Sequence, residues 1–146
     1  MIVAEQMSVP VICVQKHEPL ERAYQLMKHL ECRHMPVVDN GDMVGILSLH
    51  DVMLHASKDG DVVKVAEVSV GEVMISDVVT CTQQTKITEA ARLMTMNKIS
   101  SLPVVDNDGK LQGVLTSTDL LRFLGRRQEL EDTIELWFDL NLGEES

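Results

Sequence analysis

Aromatic residues are scarce in this chain, and their scarcity limits the kind of core that it can build. Two phenylalanines, one tyrosine and one tryptophan make up 3% of its 146 residues, whereas hydrophobic residues as a whole make up 45%. The core must therefore be packed from aliphatic side chains and methionine. The chain also has no apolar run of about 18 residues, the length that a membrane-spanning helix needs, so we expect no membrane partner.

Cysteines and basic residues are also few. The three cysteines are odd in number and form no C-x-x-C pair, which is typical of a reducing compartment rather than of a disulfide scaffold. The N-terminal residues show no basic segment ahead of an apolar one, so we expect no signal peptide and a cytoplasmic protein. The 13 Lys and Arg residues are outnumbered by 23 acidic residues, and no basic face is visible. This composition argues against a nucleic-acid duplex as partner.

What the sequence does contain is an internal repeat. Residues 36–40 and 103–107 both read PVVDN, at an offset of 67, and one residue inserted in the following turn changes the offset to 68. The glycines and acidic residues that follow remain aligned at the new offset. The repeat predicts a first copy at 2–57, a linker at 58–69, a second copy at 69–124 and an acidic C-terminal helix or tail at 125–146.

Hydrophobic periodicity predicts the same element order, β-α-β-β-α, in each copy. The turns DNGD and DNDGK consist of residues that suit hairpins. A single copy would leave its apolar faces uncovered, so we expect two copies to pack sheet to sheet as one α/β (α+β) unit with pseudo-twofold symmetry. The expected helices lie at 18–31, 49–57, 85–97 and 117–125, and the expected strands at 11–14, 35–38, 43–47, 78–81, 102–105 and 111–115.

An S/T-x-x-D motif follows the last strand of each copy, as Ser48 with Asp51 and as Thr116 with Asp119. One interpretation is a helix N-cap, in which the hydroxyl accepts a backbone N–H and the acid complements the helix dipole. The other is a ligand site, because a hydroxyl and free N–H groups at a helix start suit a phosphate, and a carboxylate can accept hydrogen bonds from a ribose diol. The recurrence of the motif in both copies favours the ligand site.

Together these motifs resemble a tandem pair of CBS domains, the regulatory modules first named for cystathionine β-synthase. The matching features are h-P-V-V-D-x-x-G, G-h-h-[ST]-x-x-D and the preceding A-x-x-L-M helix, and they cover nearly the whole chain except about the last twenty residues. The resemblance implies two clefts that bind an adenosyl ligand, namely AMP, ADP, ATP, NAD or S-adenosylmethionine, with no catalytic cofactor. It also implies that the module pairs into a flat homodimer.

The resemblance further implies a role for each matching residue. Asp51 and Asp119 are expected to hold a ribose, with Ser48 and Thr116 near the phosphates. The other expected ligand contacts are Arg33 and His34 before the h-P step of copy one, Ser100 and Ser101 before that of copy two, the adenine-edge residues Ile12 and Val79, and Arg122 near a phosphate. Because the cationic pair of copy one is replaced by two serines, we expect the sites to differ in affinity. The sequence leaves open which aspartate shares a cleft with Arg33.

Other kinds of site are less well supported. His29, Cys32 and His34 are close in sequence, but their spacing matches no compact zinc pattern and copy two lacks the equivalents, so we expect no metal site. The chain contains no P-loop, no G-x-S-x-G and no plausible nucleophile–base pair, so we expect no catalytic residue. In the C-terminal segment an apolar helical face carries Trp137 and either closes the chain's own core or docks a dimer mate or partner.

The sequence thus favours a stand-alone module of the Bateman type that senses an adenine nucleotide and acts in trans, through a dimer mate or an unidentified regulated protein. The alternative is a ligand-free dimerisation or protein-interaction module, in which the S/T-x-x-D motifs act only as helix caps. A third hypothesis, an enzyme such as a nucleotide hydrolase, has no residue in its favour.

Overall fold

The computed structural model describes residues 1–9 and 12–127, and both copies of the repeat contain helices and strands. After a short turn at Val3–Glu5, the first copy consists of β1 (Val14–Gln15), α1 (Leu20–Leu30), β2 (His34–Asp39), β3 (Asp42–Ser48) and α2 (Leu49–Leu54). Next come β4 (Ala56–Asp59), β5 (Val62–Val65) and α3 (Val70–Val73). The second copy consists of α4 (Ile87–Asn97), β6 (Ser101–Val105), β7 (Leu111–Thr116) and α5 (117–127). The predicted α+β class is confirmed.

The C-terminal segment, with its predicted apolar face of Leu130, Ile134 and Trp137, lies outside the described residues. Among the residues that are described, no helix combines the length and the apolar character needed to cross a membrane.

Matching hairpins form the centre of each copy. β2 pairs antiparallel with β3, and β6 pairs antiparallel with β7. The register shifts between Val37 and Val38 in the first hairpin and between Val104 and Val105 in the second, which are equivalent positions of the repeat. β1 adds a parallel strand beside β2, whereas in the second copy a single parallel bridge joins Cys81 to Val104. The repeat therefore preserves a local irregularity of the backbone as well as its sequence.

The segment after α2 differs from the prediction. The expected helix at 49–57 ends at Leu54, and the expected linker at 58–69 contains most of the β4–β5 hairpin, whose two-residue turn is Gly60 and Asp61. Gly60 has φ +64°, a conformation that glycine adopts without strain, and buried Val65 anchors β5 in the core of the first copy. The predicted turn is present, but hydrophobic periodicity over so short a segment does not distinguish a last helical turn from a strand.

Within the described residues, the buried apolar side chains form two separate clusters, one core for each copy. Leu20 belongs to the first core and Leu102 to the second, and both are fully buried. Val3, which precedes the strands and helices of copy one, lies in the second core, and Val70, which opens copy two, lies in the first. The two copies are therefore held together by an exchange of their leading segments.

Backbone hydrogen bonds reinforce this exchange at equivalent positions. The N–H of Val3 donates to the carbonyl of Thr85 (2.8 Å), and the N–H of Val70 donates to the carbonyl of Glu18 (2.9 Å). Val3 and Val70 are both fully buried. Because each leading segment completes the core of the other copy, neither copy has a complete core on its own.

Two glycines allow the exchanged segments to lie close to the hairpins. Gly45 on β3 and Gly113 on β7 are buried, with Met74 and Met7 packed against them. A Cβ added at Gly45 would lie 2.5 Å from Met74 Sδ and 2.9 Å from the carbonyl oxygen of the next residue. At Gly113 the corresponding distances, to Met7 Sδ and the next carbonyl, are 2.7 and 3.2 Å. Glycine recurs here because a side chain would separate the strand from the segment.

The turns of the two central hairpins also contact each other. Lys110 Nζ donates to the carbonyl of Asn40 (3.1 Å) and pairs with the carboxylate of Asp42 (2.9 Å). The N–H of Met43 donates to the carbonyl of Gly109 at 3.0 Å. An exposed ion pair contributes little stability by itself. Together with the backbone hydrogen bond, however, it fixes the orientation of one hairpin against the other.

We expect Gly45→Ala to destabilise the protein by about 1–3 kcal/mol, because the new methyl group must displace Met74 and the neighbouring carbonyl. Gly113→Ala should cost less, since the neighbouring backbone carbonyl lies at 3.2 Å there and at 2.9 Å at Gly45. Gly125→Ala on α5 is the matched control, because the space around this glycine is open, and the change should stabilise the helix by about 0.5–1 kcal/mol. Urea denaturation measures all three variants, and a neutral Gly45→Ala would contradict the close approach.

A second prediction concerns Cys81, which is 5% exposed and whose thiol pKa is raised by burial to about 11. The folded state keeps this proton at a pH where the unfolded chain, with a pKa of 9.0, loses it. The stability contributed by this group is therefore fully present below the unfolded pKa and is lost as the pH rises through the folded pKa. Cys81→Ala should show a smaller loss of thermal stability across that range than the unchanged protein. Identical pH profiles for the two proteins would refute the assignment.

Candidate ligand-binding clefts

Two cavities of similar size lie between the copies. Cleft 1 has a volume of about 440 Å³ and cleft 2 a volume of about 480 Å³. In each cleft, residues that precede the central hairpin of one copy face the last strand and the helix start of the other. Cleft 1 is lined in part by Ile12, Arg33, His34, Thr116, Ser117 and Thr118. Cleft 2 is lined in part by Ser48, His50, Asp51, Asp77, Val79 and Ser100.

A larger groove, of about 740 Å³, lies elsewhere on the molecule and is lined by Val62–Ser69 with residues of α1 and α3. It contains none of the predicted site residues, and its walls do not repeat in the two copies. The smaller clefts, which combine repeated motifs with the boundary between copies, are the better candidates for a site.

The two clefts are related by the offset of the repeat. The lining positions correspond in pairs, namely Ile12 with Val79, Arg33 with Ser100, and Thr116 with Ser48. Because the copies cross, Arg33 shares cleft 1 with Thr116, and Asp51 shares cleft 2 with Ser100, which also lines cleft 1. This arrangement answers the question that the sequence left open, since each cleft takes residues from both copies.

Backbone hydrogen bonds position the walls of the clefts. The N–H of Leu49, at the start of α2, donates to the carbonyl of Arg33 at 2.8 Å. The N–H of Ser117, at the start of α5, donates to the carbonyl of Ser100 at the same distance of 2.8 Å. Each loop is thereby attached to the helix start of its own copy while it lines a cavity shared with the other. Three of the predicted residues line both clefts, namely His34, Ser100 and Ser101.

The predicted hydroxyls cap the helices that follow them. Ser48 Oγ accepts the N–H of Asp51 (3.0 Å), and Thr116 Oγ1 accepts the N–H of Asp119 (3.1 Å). The capping interpretation of the motif therefore describes both hydroxyls correctly. It does not exclude the ligand interpretation, because a hydroxyl that accepts a hydrogen bond can still donate its own hydrogen to a ligand.

The two aspartates of the motif are placed differently. Asp51 is partly exposed and lines cleft 2. Asp119 is only 5% exposed, and its carboxylate accepts the N–H of Thr116 (2.9 Å) and pairs with Arg122 (3.3 Å). Within the described chain, neither Asp119 nor Arg122 lines cleft 1. Their ribose and phosphate roles remain predictions.

The clefts also differ in charge. Cleft 1 contains one arginine and one glutamate, Arg33 and Glu31. Arg33 is exposed, and within the described residues its side chain makes no salt bridge or hydrogen bond. Cleft 2 contains two carboxylates, Asp51 and Asp77, and its described walls include no lysine or arginine. The sequence predicted that the two sites differ in affinity, and the charged side chains that line the two clefts do differ.

The clefts show no arrangement suited to nucleophilic or metal chemistry in the part of the chain that is described. Cys32 lines cleft 1, and burial raises the pKa of its thiol above the ordinary value, so the thiol stays protonated at neutral pH. Over residues 1–9 and 12–127, no group of three or more His, Cys, Asp or Glu side chains is arranged to hold a metal ion.

Several lining residues were not predicted from the sequence. Ser8 in cleft 1 and Ile75 in cleft 2 are equivalent residues of the exchanged segments, and Asp77 follows in cleft 2. The offset pairs Ser8 with Ile75, but only the exchange places them beside the clefts. Ser117 and Thr118 directly follow the predicted residue Thr116. They lie inside the S/T-x-x-D motif, so the motif could have identified them.

Comparison with known proteins gives a match over both copies. A family model described as CBS domain matches residues 3–58 and 70–126. An uncharacterised protein of Methanocaldococcus jannaschii is 33% identical over 120 residues, which cover 82% of this chain and 43% of that protein. The chain spans less than half the length of this relative and of two other curated relatives from the same organism.

Two solved structures are similar over nearly the same region. The protein CBSX2 in complex with AMP has a TM-score of 0.78 and 27% identity, and the match covers 87% of this chain and 98% of that one. A CBS domain pair in complex with 5′-methylthioadenosine and S-adenosyl-L-methionine has a TM-score of 0.72 and 25% identity, with the same coverage of 87% and 98%.

We expect Ser48→Ala to lower the free energy of unfolding by about 1 kcal/mol, because the N–H of Asp51 loses its acceptor at the start of α2. Ser57→Ala is the matched control, since Ser57 is exposed on β4, and it should change stability by less than about 0.5 kcal/mol. Urea denaturation of both variants checks the prediction. Equal effects at the two positions would mean that the Ser48 hydroxyl does not cap the helix.

Proposed function

The chain belongs to the CBS domain family, and from that premise we propose that it is a regulatory module that binds an adenosyl ligand between its two copies. The observation that carries the proposal is the pair of cavities at the boundary between copies, each combining apolar side chains with the hydroxyl that begins a helix. Their volumes of about 440 and 480 Å³ lie within the range of small-molecule sites, roughly 300–1,000 Å³.

In cleft 2 the side chains suit a nucleoside. The carboxylate of Asp51 can accept hydrogen bonds from both hydroxyls of a ribose. The hydroxyl of Ser48 can donate to the same ligand while it caps α2. Val79 and Ile75 supply an apolar surface for the edge of an adenine. The proposed contacts come from both copies, so the ligand bridges them.

In cleft 1 the side chains suit a phosphate. The guanidinium of Arg33 presents several N–H donors that can bind phosphate oxygens, and Thr116 offers a hydroxyl on the opposite wall. Ile12 takes the place of Val79 beside the adenine. Asp119 and Arg122 are not among the described residues that line cleft 1, so their proposed contacts with a ribose and a phosphate require both side chains to move toward the cleft.

The ligands of similar proteins support the adenosyl class. One neighbour is in complex with AMP, and the other is in complex with 5′-methylthioadenosine and S-adenosyl-L-methionine. The part that these three ligands share is the adenosyl group, which consists of the adenine and the ribose up to its 5′ carbon. For this chain we therefore propose AMP, ADP, ATP, NAD or S-adenosylmethionine as the ligand and no catalytic cofactor.

We propose that binding controls contacts with other proteins rather than a reaction. A ligand held by both copies favours the arrangement of copies that fits it best, and thereby shifts the population of conformations. The output then passes in trans to a homodimer mate or a regulated protein in the cytoplasm. The module itself is not an enzyme in this proposal.

A ligand-free interaction module is the second candidate, and one observation favours it. Both hydroxyls of the S/T-x-x-D motifs do cap helices, and the carboxylate of Asp119 contacts Thr116 and Arg122 within its own copy. This candidate explains the motifs without any ligand. It predicts that thermal stability is independent of nucleotides.

Calorimetry with AMP, ATP, NAD and S-adenosylmethionine tests the two candidates. We expect at least one ligand to bind, and at 100 times its dissociation constant to stabilise the fold by about 2.7 kcal/mol. Asp51→Asn should weaken binding in cleft 2 about tenfold or more, because the ribose loses a charged acceptor. Asp61→Asn, an exposed position in the turn of the β4–β5 hairpin, is the matched control with the same change of charge.

The outcomes separate the candidates. Binding of an adenosyl ligand that weakens in Asp51→Asn but not in Asp61→Asn supports the sensor. Failure of all four ligands to bind, together with an unchanged thermal midpoint, supports the ligand-free module. Turnover of a bound nucleotide would instead contradict the absence of enzyme activity.

A further inference from the structure

We infer that the two clefts sort adenosyl ligands by charge: cleft 1 takes a phosphorylated adenosyl ligand, and cleft 2 takes one without phosphate, either neutral or cationic. This inference rests on the proposed function and adds a chemical class of ligand for each cleft. It depends on which charged side chains line each cavity and on which of them are already engaged within the protein.

Cleft 1 has a cation on its wall. This cation is Arg33, and within the described residues its side chain has no ionic partner. A guanidinium is always charged and binds phosphate oxygens through paired N–H groups. The equivalent residue of copy two is Ser100, which has no charge and lines both clefts. Glu31 is the one acidic residue among the described residues that line cleft 1, and it balances Arg33.

A row of hydroxyls lies opposite this cation. Thr116, Ser117 and Thr118 all line cleft 1 and offer O–H donors without negative charge. The equivalent positions of copy one are occupied by Ser48, Leu49 and His50, so cleft 2 has one hydroxyl where cleft 1 has three. A phosphate has only acceptor atoms when ionised, and it is therefore better matched by the walls of cleft 1.

Cleft 2 is lined by negatively charged side chains. Asp51 and Asp77 both line it, and its described walls include no lysine or arginine that would balance them. A phosphate placed here would be repelled by both carboxylates, whereas a sulfonium would be attracted by them. The described walls of cleft 1 carry no net charge from Arg33 and Glu31, so the clefts differ by two unit charges.

The clefts also differ in whether a carboxylate is available for a ribose. In cleft 2 this group is Asp51, which lines the cavity. Its equivalent, Asp119, is buried and paired with Arg122 at 3.3 Å. Cleft 2 thus presents a contact for the nucleoside, and cleft 1 presents a contact for the phosphate. The same backbone arrangement supports two different kinds of recognition.

Adenosine and AMP are the probes for this inference, because they differ only in the phosphate. With the unchanged protein, calorimetry should show one AMP and one adenosine bound per chain, and adenosine should still bind when AMP is saturating. S-adenosylmethionine should compete with adenosine and not with AMP. Displacement of adenosine by AMP in a one-for-one manner would overturn the sorting.

Reciprocal variants assign the probes to the clefts. Arg33→Ser, which installs the residue of copy two, should weaken AMP about tenfold and leave adenosine within about twofold. Arg33→Lys should restore most of the affinity for AMP because it keeps the charge. Ser100 lines both clefts, so Ser100→Arg adds a positive charge beside the carboxylates of cleft 2 and should weaken S-adenosylmethionine. Arg22→Ser, an exposed arginine on α1 paired with Glu18, is the control and should change neither affinity.

The results distinguish this inference from the proposed function. If AMP binds the unchanged protein and Arg33→Ser leaves its affinity unaltered, the sorting by charge is wrong while the adenosyl-binding function stands. If neither AMP, adenosine nor S-adenosylmethionine binds, the proposed function fails and the sorting fails with it. Loss of AMP binding in Arg33→Ser with adenosine binding intact, and recovery in Arg33→Lys, supports both.

Discussion

The exchange of leading segments between the two copies is the contact on which the rest of the structure depends. Val3 precedes the first copy and is fully buried in the core of the second. Val70 opens the second copy and is fully buried in the core of the first. The same two segments continue past Gly113 and Gly45 and then line the clefts through Ser8 and Ile75. Core packing and cleft formation are thus two results of one arrangement, and a change that loosens a segment should affect both.

This arrangement also explains why the clefts share a backbone but differ in their walls. Within each copy, a backbone hydrogen bond from Leu49 or from Ser117 holds the loop that lines the clefts, and the two bonds are equal in length. These bonds place no requirement on the side chains that face the cavities. Arg33 can therefore stand where the other copy has Ser100 without disturbing the hairpin that follows, and chemical differences between the sites need no change of fold.

Much of the fold follows from the sequence because its signals are local or repeated. The offset of 67 residues revealed the two copies, and alternation and turn residues located the central hairpins and the helices beside them. The exchange could not be predicted in this way, since Val3 contacts residues some eighty positions away and periodicity reports only on neighbours. The β4–β5 hairpin was missed because each of its strands is only four residues long.

The sites were predictable in composition but not in assignment. The repeated hydroxyl and aspartate identified Ser48 and Asp51 as residues of a cleft, yet the partner of each cleft wall depends on how the copies cross. The pairing of Asp119 with Arg122 illustrates another limit. A spacing of three residues on a helix allows either an internal ion pair or two independent ligand contacts, and the sequence does not distinguish these.

The exchanged segments have a consequence for how such a chain can arise. A polypeptide that contained one copy with its leading segment would hold every element of a core, but its own segment would lie in the wrong place to complete it. Two such polypeptides could complete each other by domain swapping, with a stability that depends on their concentration. Joining them in one chain makes the same exchange intramolecular and removes that dependence. The internal repeat is what a tandem duplication of a swapped dimer would leave behind.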